Sequence, residues 1–78
     1  MADQAEFITR IAVNSPLRRL FDYSLPKSIL DARPTPQSLL GCRVLVPLGR
    51  RRVIGIIIEH PEQSDITADQ LKAVEELI

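Results

Sequence analysis

The sequence predicts a small α+β domain, mostly antiparallel β, in which a barrel-like sheet is closed by a C-terminal helix. Three observations predict it. Cys42, Val44 and Val46 alternate with Arg43, Leu45 and Pro47, and after Leu48-Gly49-Arg50-Arg51 a β-branched run, Val53 to Ile58, returns; this is the pattern of an antiparallel hairpin. Two earlier segments, Phe7 to Val13 and Phe21 to Leu25, also alternate with period 2. Leu71, Val74 and Ile78 then lie at helical spacing behind a T-x-x-Q capping box, Thr67 to Gln70.

The elements follow in order. Phe7, Ile11 and Val13 share one face of the first strand and Arg10 lies on the other. Asn14-Ser15-Pro16 marks a turn. Phe21, Tyr23 and Leu25 share one face of the second strand, Asp22 and Ser24 the opposite one, and Pro26 ends it. Residues 27–40 hold two prolines and mixed polarity and read as a long irregular loop with one short helical turn, an insertion or a flexible functional segment. Gly55, inside the return strand of the hairpin, signals a bulge or a close backbone approach. Ile66 and Leu71 sit where a hydrophobic staple would fix the start of a helix running from about Ala68 to the end. That helix lacks a C-cap signal, so the chain reads as a piece of something longer.

Seventy-eight residues make one domain, 1–78. A chain this short buries only about 60% of its unfolded surface, which leaves it marginally stable. The longest apolar run, Ile56-Ile57-Ile58, is far below the ~20 residues of a membrane span. No secretory signal is visible, and the single Cys42 forms neither an internal disulfide nor a zinc cage. It fits a buried small hydrophobe in a reducing compartment, hence a cytoplasmic protein with no metal and no cofactor of its own. His60, beside Pro61, reads as a strand-end surface residue. With no nucleophile pair, no metal set and no phosphate-binding glycine loop, the chain does not read as an enzyme, and no residue is assigned a catalytic role.

Charge points to binding. The formal net charge is zero, yet residues 7–58 hold nine Lys or Arg and two acids, while the rest of the chain holds eight acids and Lys72 alone as a cation. Arg18-Arg19 and the hairpin tip Arg50-Arg51-Arg52 are candidates for phosphate contact, with salt-sensitive affinity; the alternative is that they keep the surface soluble. Asp22 stands between two of the three aromatic residues inside this basic stretch. An ionised carboxylate only accepts hydrogen bonds, so it suits a base edge or a sugar hydroxyl. The alternative is a local salt bridge to Arg18 or Arg19. For Lys72 the alternative is a helical pair with Asp69, Glu75 or Glu76, and for Phe21 a place in the core.

Three ordered blocks carry a resemblance. Pro16-Leu17 with Arg19-Leu20-Phe21-Asp22-Tyr23-Ser24-Leu25-Pro26, then Gly41-Cys42-Arg43-Val44-Leu45-Val46-Pro47-Leu48-Gly49-Arg50 with Ile54-Gly55-Ile56-Ile57, then Leu71-Lys72-Ala73-Val74 resemble the N-terminal DNA-binding domain of the PriA family of primosomal helicases. The resemblance implies a fragment of a replication-restart protein that binds the 3′ end of the leading strand at stalled forks. It implies a pocket in which Phe21 packs on the terminal base, Asp22 bonds to its edge, and Gly49 and Lys72 recognise the 3′-hydroxyl. DNA with 3′ ends or forks, the helicase portion of the parent polypeptide and other primosome proteins are the implied partners. The family's ATP-driven 3′-to-5′ helicase motifs and zinc cysteines are absent from this sequence. The 27–40 loop is longer, and the Arg50-Arg51-Arg52 tip more basic, than the family pattern. Two other readings stay open: a β module docking an acidic peptide along a strand edge, and nonspecific single-strand binding through the arginines.

Overall fold

The computed structural model describes residues 7–13 and 19–78. The expected turn at Asn14-Ser15-Pro16 and the candidate phosphate contact Arg18 fall outside them. Among the described residues five antiparallel strands form one sheet in the order β2-β1-β4-β3-β5, with β1 Ile8–Val13, β2 Arg19–Ser24, β3 Arg43–Leu48, β4 Arg51–Glu59 and β5 Glu76–Leu77. Period-2 burial builds it. Thr9, Ile11 and Val13 of β1, Val44 and Val46 of β3 and Ile57 of β4 face the core, joined by Tyr23, Leu25 and Val74. The β3–β4 hairpin turns through two residues, since Leu48 pairs with Arg51. Gly49 takes φ +61° there, the sign that both primed hairpin turns require at this position.

Gly55 marks a close approach. It pairs with Val13 of β1 on one side and Val44 of β3 on the other. A Cβ at Gly55 would overlap the Ile11 Cγ2 methyl and lie 3.2 Å from the Ala12 carbonyl oxygen. The irregularity of the strand falls further on: the β1–β4 register shifts between Arg10 and Ile11, so that Ile58 lies unmatched between Ile57 and Glu59.

Residues 27–40 form a packed cap. Helix α1, Lys27–Leu30, and a 3-10 turn, Pro36–Leu39, insert Ile29 and Leu39 into the core. Leu39 is fully buried. His60, expected at the surface, is half-buried: its Nε2 lies 2.8 Å from the Pro36 carbonyl and its ring meets Phe7 edge-on. Cys42 is half-buried against the core. No described helix is long and apolar enough to cross a membrane.

The expected C-terminal helix is replaced by a single 3-10 turn, Ala68–Gln70, followed by extended chain and β5. The capping-box residues do start a turn, for Gln70 and Leu71 N–H groups donate to the Thr67 carbonyl. Extended chain wins beyond it because two sheet edges need partners. Ser24 N–H donates to the Lys72 carbonyl and Val74 N–H to the Ser24 carbonyl. Glu75 and Ile78 N–H groups donate to the Leu45 and Arg43 carbonyls. A helix of about eleven residues, 68–78, is marginal alone and would leave these edge groups unpaired. The sheet is open rather than a barrel: an isolated parallel bridge, Ser24 to Ala73, joins β2 to the C-terminal segment. It does curl. The Tyr23 hydroxyl of β2 donates to the Pro47 carbonyl of β3 at 2.7 Å, although β1 and β4 lie between these strands in the sheet.

Candidate nucleic-acid interface

The curl creates a hollow of about 200 Å³ between β2, the β3–β4 turn and the C-terminal segment. Phe21, Asp22, Gly49 and Lys72, drawn from three distant stretches of sequence, all line it. Tyr23, Pro47 and Leu48 form the rest of one wall, Ile66 and Gln70 the other. Phe21 is half-buried, and the Arg19 guanidinium carbon lies over its ring, 5.9 Å from the centroid. Nothing lies within 4 Å of where a Gly49 Cβ would be, so its backbone is open to close approach. Lys72 is exposed and forms no ion pair among the described residues. Its carbonyl is fixed by Ser24, and the helical pairing considered for it does not arise because the segment is not a helix.

Asp22 has partners that neighbour-by-neighbour reading of the sequence did not name. Its carboxylate receives Arg10 Nε at 2.8 Å on Oδ1, and Arg10 Nη2 at 3.2 Å and the Ser64 hydroxyl at 2.6 Å on Oδ2. Arg10 stands directly opposite Asp22 in the β1–β2 ladder and also donates to Glu59 at 3.3 Å. The Ser64 oxygen in turn accepts the Ile66 N–H at 3.1 Å. The carboxylate therefore fixes the loop that brings Ile66 to the pocket. The local partner expected for it, Arg18 or Arg19, is replaced by a cross-strand one: Arg18 is outside the described residues, and Arg19 forms no ion pair among them.

The strand also presents backbone. Ser24 N–H and carbonyl both point away from β1, to the C-terminal segment, and Leu25 N–H points to Phe7 of the β1 end. Orientation alternates along an antiparallel strand, so the Asp22 and Leu20 N–H and carbonyl groups also point outward. At Asp22 that edge belongs to the hollow.

The 3'DNA-binding domain (3'BD) of PriA matches this sequence over residues 10–78. The chain belongs to the PriA 3'BD family. It is 39% identical over 67 residues to the "Replication restart protein PriA" of Haemophilus influenzae, covering 86% of this chain and 8% of that protein. It is 32% identical over 74 residues to the protein of the same name from Bacillus subtilis, covering 95% of this chain and again 8% of the relative. The chain thus spans about a twelfth of the length of these relatives.

In this 3'BD the ionisation of Asp22, which lines the pocket, is set by Arg10. Its guanidinium holds the Asp22 carboxyl below the ordinary carboxylate range; burial opposes the shift and the Ser64 hydroxyl adds to it. Asp22 in return raises Arg10 further above its ordinary value. Burial pushes the Tyr23 hydroxyl up, which keeps it protonated as the donor to Pro47. Because the folded Asp22 titrates below its unfolded value of about 4, its stabilising contribution is full above about pH 4 and is lost as pH falls through the lower folded value. Asp22→Asn is expected to flatten the acid limb of stability, read as the urea midpoint between about pH 4 and pH 2. An unchanged slope would show that the ion pair contributes nothing to folding.

Of the tip arginines, Arg52 is tied to Glu75 at 3.2 Å, whereas Arg50 and Arg51 are exposed without ion pairs among the described residues. Among the described residues no group of three His, Cys, Asp or Glu could hold a metal ion. Besides the wall residues Pro47, Leu48 and Gln70, the site residues that the sequence reading missed are Tyr23, Ile66, Arg10 and Ser64. Tyr23 shares the period-2 face of Phe21, a signal that was there to read. Arg10 and Ser64 carry no such signal, because only the strand register and the fold of the 61–66 loop bring them to Asp22.

Proposed function

We propose that this domain binds the 3′-terminal nucleotide of a DNA strand in the hollow between β2 and the Gly49 turn. In the parent polypeptide it would then position a replication-restart helicase on an arrested fork. The base stacks on Phe21, an interaction worth about 1–3 kcal/mol and tolerant of any base. Every base carries a donor beside an acceptor on its Watson–Crick edge. The outward N–H and carbonyl of Asp22 match that pair without choosing among the four. The Asp22 carboxylate, three of whose roughly four acceptor sites are occupied, has one left for an N–H donor on the base edge. Gly49 lets the sugar approach the backbone, and Lys72 donates to the terminal hydroxyl.

One observation supports this reading above others: Phe21, Asp22, Gly49 and Lys72 surround a single hollow in a chain of the 3'BD family. The test compares oligonucleotides ending in a free 3′-hydroxyl and in a 3′-phosphate, by fluorescence anisotropy. The sign is decisive. General attraction to arginines and Lys72 makes the phosphorylated end bind at least as tightly. A pocket built for a hydroxyl excludes the added bulk, and affinity is expected to fall tenfold or more. Equal or tighter binding of the phosphorylated end would reject the pocket. The outward Leu20 and Asp22 backbone groups also suit an added peptide strand; binding that ignores DNA ends would favour that reading.

A further inference from the structure

We propose that Arg19 is the phosphate anchor of this pocket, taking the last internucleotide phosphate while Phe21 takes the base beside it. The inference rests on the reading above and names the group that holds the strand as it leaves the hollow. Arg19 and Phe21 are two apart on β2, so they share a face about 6–7 Å apart along the strand. That is close to the span from a stacked base, across its sugar, to its own 5′-phosphate. The Arg19 guanidinium lies 5.9 Å from the Phe21 centroid, at the outer limit of cation–π reach, about 6 Å. The ring therefore orients the guanidinium without being sealed by it.

Charge selects the same exit. A neighbouring hollow shares Phe21, Asp22 and Ile66 with the pocket and adds Leu20, Ser64, Asp65 and Arg10, whose guanidinium is already bonded to Asp22 and Glu59. A phosphate leaving that way meets Asp65, whereas along β2 it meets Arg19, exposed and without an ion pair among the described residues. A guanidinium resting on a ring keeps its N–H fork free at the edge and meets a phosphate with two parallel bonds. A lysine ammonium has neither the plane nor the fork.

The test uses a 3′-ended oligonucleotide with a normal or an uncharged methylphosphonate last linkage, against the wild-type chain, Arg19→Ala and Arg19→Lys. In the wild type, the neutral linkage is expected to weaken binding about tenfold. Arg19→Ala is expected to lose about as much on the normal oligonucleotide and almost nothing more on the neutral one, and to lower the salt slope by about one. Arg19→Lys is expected to recover less than half of the loss on a logarithmic scale. Equal, additive losses on both oligonucleotides would overturn the assignment, as would no loss at all. Should 3′-hydroxyl and 3′-phosphate ends also bind alike, the pocket reading itself fails; should they differ while the linkage does not matter, only Arg19 loses its role.

Discussion

Gly55→Ala is expected to lower the melting temperature of this domain by roughly 5–15 °C. Two effects oppose each other. Alanine is the better strand residue, since glycine in a strand interior costs roughly 0.5–1 kcal/mol in chain entropy. Against that, the new methyl overlaps Ile11 Cγ2 and presses on the Ala12 carbonyl at 3.2 Å. Ile11 is fully buried and β-branched, so its methyl has no rotamer to retreat to. The Ala12 carbonyl belongs to the central β1–β4 ladder. Overpacking of this kind costs typically 1–3 kcal/mol, and each kcal/mol shifts the midpoint by about 4–8 °C in a domain this small. The clash wins. With a total stability of about 0.05–0.15 kcal/mol per residue, Gly55→Val should leave little folded protein at 37 °C. A double-mutant cycle locates the cause. In an Ile11→Ala background, which removes the methyl, Gly55→Ala should cost far less. Strictly additive losses would place the strain elsewhere.

Gly55 is also where the sequence was most legible, and for a definable reason. A glycine inside a β-branched run has few explanations, and the hairpin around it follows from alternation alone. Strand β1 was legible on the same ground, because it buries one face; β2 alternates in sequence, but its burial rises from the exposed Arg19 end to Tyr23 and Ser24 as the C-terminal segment covers it. The C-terminal segment was misread because its pattern is ambiguous. Leu71, Val74 and Ile78 suit a helix, and Thr67 to Gln70 does begin one turn. The competing demand, unpaired groups on Ser24, Leu45 and Arg43, exists only once the sheet has curled. Residues 27–40 offered no periodicity, so the burial of Ile29 and Leu39 had no local signature. The four pocket residues came from a resemblance, not from spacing. Their support, Arg10 to Asp22 to Ser64, depends on a register between strands twelve residues apart and on a loop forty-two residues away.

That support makes Asp22→Ala the second large effect. Deleting an acid beside a DNA site would ordinarily tighten binding. The gain here is small: at about 10 Å in water a unit charge contributes about 0.4 kcal/mol before screening, and Arg10 already offsets this one. The loss is structural. Without the carboxylate, Ser64 has no acceptor, Ile66 is no longer held against the hollow, and Arg10 keeps Glu59 alone. Affinity for a free 3′-hydroxyl end should fall about tenfold, while attraction to DNA without an accessible end rises slightly as Arg10 is unmasked. The ratio between the two is the quantity to measure, because it cancels general electrostatics. Ser64→Ala, which breaks the outer link and leaves the Arg10 pair intact, should move that ratio in the same direction by less. If Asp22→Ala preserves the ratio, the carboxylate is a bystander to end recognition. If Ser64→Ala moves it more than Asp22→Ala does, the network does not run through the acid.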